Sequence, residues 1–211
     1  MPLPGKSRYV MDSRPAPRAG LTLFCARGEL PSLWTRIVLA EKDVDGARIE
    51  WISGAQPNQD MLVLNPSGQL PTLADRDTVL FPAAIVAEYL DERYPHPKLL
   101  PPDPAGRARI RMVLARFNQE IFPLAAQILA APKAVETKAA RKQMTEILIT
   151  SARLFAGRGW CLGGEYSLAD CAWAALFASL PSLGLKLPPD PNLAKYAERL
   201  LARGAVQSAL R

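Results

Sequence analysis

Nine residues, Asn65-Pro66-Ser67-Gly68-Gln69-Leu70-Pro71-Thr72-Leu73, set two prolines around a Ser-Gly turn and lead straight into an apolar strand. Proline carries no backbone N–H, so Pro71 at the mouth of a strand leaves neighbouring backbone groups without a ladder partner. X-Pro bonds are also the ones that turn cis cheaply. A cis Leu70–Pro71 bond would aim the Leu70 N–H and C=O out of the fold, towards a ligand's own peptide backbone. The other reading of these residues is a Pro-rich turn that binds nothing. Few further groups could do chemistry. Cys25, Cys161 and Cys171 include no Cys-x-x-Cys pair, and His96 is the one histidine. No metal-ligand set is expected, and the cysteines read as buried free thiols of a reducing compartment.

Composition narrows the function classes. The chain has 211 residues and a net charge of +6. Half of that charge sits in the first twenty residues, where Lys6, Arg8, Arg14 and Arg18 face only Asp12 among four prolines. Residues 1–19 therefore read as a flexible basic tail. The remaining charge is too mild to argue for direct nucleic-acid binding. The tail has no apolar core of a secretory signal, and the apolar stretch 171–180 is too short to cross a bilayer. A soluble cytoplasmic protein with no membrane partner is expected.

The elements that must position these groups come in two kinds. A strand over 21–25 is followed by a helix from Ser32, as N-cap, to about 42. A strand over 47–52, a short helix over 59–64 and a hairpin of 70–74 with 78–80 come next. Pro82 fits the first turn of a helix reaching 93. The order βαβαββα over 20–94 is thioredoxin-like, with a right-handed crossover between the first two strands. Residues 95–104 are a Pro-rich linker. From 105 to 211 only helical periods occur, over about 105–131, 135–156, 167–180 and 192–201. The third opens on Ser167 and Asp170, spaced as a capping box, and is apolar all round. Asp170 is thus expected to be structural. The fold class is α+β/α.

A thioredoxin-like half, a Pro-rich linker and an all-helical half look like the cytosolic glutathione S-transferase fold. Three segments resemble, more narrowly, the stringent starvation protein A family. They are Ile37-Val38-Leu39-Ala40-Glu41-Lys42, Glu88-Tyr89-Leu90-Asp91-Glu92-Arg93-Tyr94-Pro95-His96-Pro97 and Leu168-Ala169-Asp170-Cys171. That resemblance implies a transferase-fold, non-catalytic regulator of transcription, associated with RNA polymerase under stress and built as a homodimer. It also implies that Tyr94, Pro95, His96 and Pro97 form the partner-contacting surface; the alternative is that they only stiffen the linker.

The same resemblance exposes what is missing. By the superfamily's spacing the catalytic Ser or Cys position falls on Glu29, whose carboxylate would repel a glutathione thiolate. An acidic residue followed by Ser or Thr should open the third helix, and Pro82 and Ala83 stand there. Glu29, Leu70, Pro71, Pro82 and Ala83 thus outline a vestigial glutathione site. A divergent transferase conjugating glutathione to small electrophiles is the alternative, with Ser32 as its catalytic hydroxyl and glutathione as its cofactor; otherwise no cofactor is expected. Arg107, Arg109, Arg111 and Arg116 form either a solvated helix face or, at Arg107 and Arg111, an anion site.

Overall fold

The computed structural model describes residues 10–11, 14–15, 20–53, 59–156 and 159–211. Most of the tail expected over 1–19 lies outside them. Its described pieces, Val10–Met11 and Arg14–Pro15, pair antiparallel with Val10 opposite Pro15.

β1 (Leu21–Ala26) is the centre of a four-stranded sheet. It runs parallel to β2 (Arg48–Ile52) and antiparallel to β3 (Thr72–Asp75), and β4 (Thr78–Leu80) closes the far edge. The order β2-β1-β3-β4 is the mixed sheet of a thioredoxin-like domain. Strand alternation divides the core in two. Phe24 points to one face, against Met61 and Leu64 of α2 (Gln59–Leu64). Leu23 and Cys25 point to the other, where α1 (Leu30–Glu41) and α3 (Ala83–Arg93) pack.

The cap of α1 lies three residues before the expected Ser32. Glu29 is the N-cap, in extended conformation, and Pro31 lies within the first turn. Proline costs nothing there, because the first turn's N–H groups have no helical partner and its φ is already helical. Ser32 is consequently inside the helix and 1% exposed. Its hydroxyl accepts the Ala26 N–H at 3.0 Å, tying the end of β1 to α1.

α1 is also the element both halves share. Trp34 donates from Nε1 to the Leu168 carbonyl at 3.2 Å, and its ring lies 5.8 Å from that of Phe122. The helical half consists of α4 (Pro104–Arg116), α5 (Phe122–Ala130), α6 (Glu136–Phe155), α7 (Leu168–Ser179), α8 (Pro191–Leu201) and α9 (Gly204–Leu210). α7 is buried along nearly its whole length. Asp170 accepts from the Ser167 N–H and hydroxyl (2.9 and 2.7 Å), the Cys161 N–H (2.8 Å) and the Tyr196 hydroxyl (2.6 Å). Burial raises its carboxyl above the usual range, and these four donors act against that rise.

Two features depart from the expected helices. The stretch 105–131 is not one helix: a π-helical turn, Phe117–Ile121, separates α4 from α5, and the Phe122 N–H reaches back to the Phe117 carbonyl. Pro123 supplies the reason. Its ring would collide with the Gln119 carbonyl in a regular α-turn, and it has no N–H to donate there. α9, which places Val206 and Ala209 in the core, was not foreseen.

The linker is held from below. Asp91, on α3, accepts from Lys42 Nζ at 2.5 Å and from the Leu99 and Leu100 N–H groups at 2.7 and 3.1 Å. Lys42 Nζ also donates to the Pro97 carbonyl. Both side chains are buried. A buried charge whose partner is removed typically destabilises a protein by about 3–5 kcal/mol. Lys42→Met should therefore lower the unfolding free energy by roughly that amount, and Asp91→Ala by at least as much, since two backbone donors lose their acceptor. Urea melts of the two variants measure this; wild-type midpoints would show that the pair does not hold the linker.

Candidate functional site

The loop before Pro71 is locked by one side chain. Asn65 is buried and donates from Nδ2 to the Gln69 carbonyl (3.0 Å) and the Thr72 hydroxyl (2.8 Å). Its Oδ1 accepts from the Ser67 N–H and hydroxyl at 3.1 and 2.6 Å. Thr72 in turn donates to the Gln69 carbonyl at 2.7 Å. Gly68, at φ +68°, supplies the left-handed residue that the turn needs. The Leu70–Pro71 bond is cis, the isomer on which the ligand-facing reading of the turn depends. Leu70 is half-buried and Pro71 buried.

Leu70 lines a cleft of about 280 Å³ between the two halves. The start of α1 contributes Glu29, Leu30 and Pro31, and the start of α3 contributes Pro82 and Ala83. The π-turn and α5 supply Asn118, Phe122, Pro123 and Ala126. Four of the five residues assigned to the vestigial glutathione site, Glu29, Leu70, Pro82 and Ala83, therefore meet in one cavity, and Pro71 is not among its lining residues. Gln69, Asn118 and the α5 wall escaped sequence reading. The signal for the wall was Pro123, a proline inside a helical period.

The lining contains no serine, threonine, tyrosine, cysteine, lysine, arginine or histidine; Glu29 is its one ionisable residue. Partial desolvation by the cleft walls raises the Glu29 carboxyl above its ordinary value. Ser32 is not among the lining residues, and its hydroxyl is committed to Ala26. Pro82 is a correction: it caps α3 from outside in extended conformation, its carbonyl accepting from Ile85 and Val86 at 3.0 and 3.2 Å. Ala83, the first helical residue, offers no hydroxyl. Cys25 is fully buried, and burial pushes its thiol up to about 12, with nearby Arg36 pulling weakly the other way.

At the other end of α3, Pro95, His96 and Pro97 are exposed and Tyr94 is half-buried. Arg107 and Arg111 do not stand free. Arg107 pairs with Glu92 at 3.0 Å, and Arg111 forms a two-toothed pair with Glu88, with a nearest approach of 2.7 Å. These pairs bridge α4 to α3 across the boundary between the halves. Among the described residues no His, Cys, Asp and Glu cluster could hold a metal, and no helix is long and apolar enough to cross a membrane.

Models of the glutathione S-transferase N-terminal and C-terminal domains match residues 31–93 and 108–204. A stringent starvation protein A homolog from Pasteurella multocida (strain Pm70) is 38% identical over 202 residues, spanning 95% of this chain and 94% of that protein. Another, from Coxiella burnetii (strain RSA 493 / Nine Mile phase I), is 36% identical over 196 residues and 92% of each chain. The chain belongs to the stringent starvation protein A family. A solved glutathione S-transferase from Rhodospirillum rubrum F11 shares the fold, with a TM-score of 0.80 at 24% identity over 90% of this chain and 92% of that one. Lys42 and Asp91 both fall within the segments that carried the resemblance, and Lys42 joins Asp91 to the Pro97 carbonyl.

The burial of Cys25 has a chemical consequence. At neutral pH its thiol is protonated and shielded, so iodoacetamide should label it only as fast as the chain unfolds. Labelling rates followed by peptide mass spectrometry against urea concentration should track the unfolding curve. Labelling of the native protein at the rate of a free thiol would show a reactive Cys25 instead.

Proposed function

We propose that this chain is a non-catalytic transferase-fold regulator that associates with RNA polymerase in a stress or stationary-phase response, acting in the cytoplasm. The observation that carries this reading is the exposed Pro95-His96-Pro97 loop seated on the buried Lys42–Asp91 pair. A loop with two prolines, fastened from beneath by the Lys42 side chain at the Pro97 carbonyl, loses little conformational entropy when a partner docks. Tyr94, Pro95, His96 and Pro97 are the proposed contact residues.

The reading also draws on the cleft, which has lost the groups a glutathione transferase uses. No hydroxyl or thiol faces it, and a carboxylate stands where the thiolate would form. The hydrogen bonds to charged groups forgone at Pro82 and Ala83 are each worth roughly 1.5–3 kcal/mol. For the proposed homodimer, the α3–α4 face is the candidate surface, where Ile85 and Met112 are exposed beside the Glu88–Arg111 pair.

Pull-down of purified RNA polymerase tests the proposal. Wild-type protein should retain polymerase, and the His96→Ala, Pro97→Ala double variant should lose at least tenfold in affinity (about 1.4 kcal/mol) with an unchanged melting temperature. Equal retention by a folded double variant would overturn the assignment of the loop. Glutathione-conjugating activity that disappears in a folded Ser32→Ala variant would favour the enzyme reading over the regulator.

A further inference from the structure

The cleft is not glutathione's by charge, yet its shape and its polar groups persist. Glutathione brings two carboxylates, one ammonium and a thiol, and no cation among the lining residues could receive the two carboxylates. The Leu70 N–H and C=O have no hydrogen-bond partner among the described residues, and Leu70 lines the cavity. Asn118 uses one Nδ2 hydrogen on the Leu114 carbonyl at 3.0 Å, and its Oδ1 and the Glu29 carboxylate are acceptors on residues that both line the cavity. Leu30, Pro31, Phe122 and Leu129 supply an apolar wall between them.

We infer that this cleft binds a short, extended, cationic peptide-like ligand, whose backbone amide pairs with Leu70 and whose lysine or arginine side chain reaches Glu29. Each wall contributes one requirement. The Leu70 donor and acceptor, unpaired among the described residues, match a peptide unit, and the apolar wall matches the alkyl stem of a long basic side chain. The carboxylate and the Asn118 carbonyl oxygen both accept hydrogen bonds, which selects an ammonium or guanidinium, all of whose polar hydrogens donate. A cation beside Glu29 also restores the ionised carboxylate that desolvation opposes. The volume, about 280 Å³, lies just below the range of about 300–1,000 Å³ for pockets that take drug-sized ligands, which sets the ligand at roughly dipeptide size.

Isothermal titration calorimetry on the full chain tests this with three probes: N-acetyl-Leu-Lys-amide, N-acetyl-Leu-Glu-amide and reduced glutathione. The lysine probe should bind saturably at one site per chain, and the other two about tenfold more weakly or worse, the worth of one charge-assisted hydrogen bond. Glu29→Gln should weaken the lysine probe about tenfold without weakening the glutamate probe. Ala126→Phe, at an exposed position on the cleft wall, should block the lysine probe while the fold survives. Three results would overturn the inference. They are no saturable binding of the lysine probe at millimolar concentration, tighter binding of the glutamate probe or glutathione, or full lysine-probe affinity in both variants.

Discussion

The carboxylate of Asp91 has no water to turn to, and the arrangement of the two halves follows from how it is satisfied. Ion pairs taken out of solvent offset their desolvation only when every remaining lone pair finds a donor. Here a lysine from the end of α1 and two backbone N–H groups of the linker converge on one aspartate of α3. A Pro-rich segment cannot form a ladder of its own, so its N–H groups must go elsewhere, and Asp91 is where they go. The exposed loop is firm because the charge beneath it is buried.

α1 carries the rest of the connection between halves. Trp34 reaches Leu168 at the head of the buried helix, and Glu41 holds Arg203 in a two-toothed pair at 2.7 and 2.8 Å. Arg203 lies 3.7 Å from the centre of the Tyr166 ring, so the guanidinium is stacked as well as paired. The cleft therefore sits between surfaces that do not slide freely past each other. Its walls are set by packing on both sides, and the polar groups it retains face a defined space.

Much of this was legible because it is local chemistry. The Asn-Pro-Ser-Gly turn, the proline before β3 and the Ser167–Asp170 spacing each involve neighbours within a few residues, and each was found as read. Ser32 was misplaced because two local preferences competed: a serine that caps well lost to a proline one residue earlier that favours the first turn. The partners of Arg107 and Arg111 were out of reach for a different reason. Glu92 and Glu88 lie on another helix, and nothing in either helix's own pattern announces which of its charges will meet. The pairing of Lys42 with Asp91 is of that kind too. Its residues were visible as parts of a family resemblance, but their joint role emerges only when α1 and α3 lie side by side.

Pro123 ties the outline of the cleft to a matter of phase. Each residue of an α-helix advances about 100° around its axis, so the one extra residue of a π-turn rotates everything after it by about that angle. Leu129 and Ala126 face the cleft from beyond that offset, on a helix that would otherwise continue the facing of α4. The shape of the wall is thus written as an angular displacement a few residues upstream. Shortening the turn by a single residue would swing that face aside while altering none of the residues that compose it.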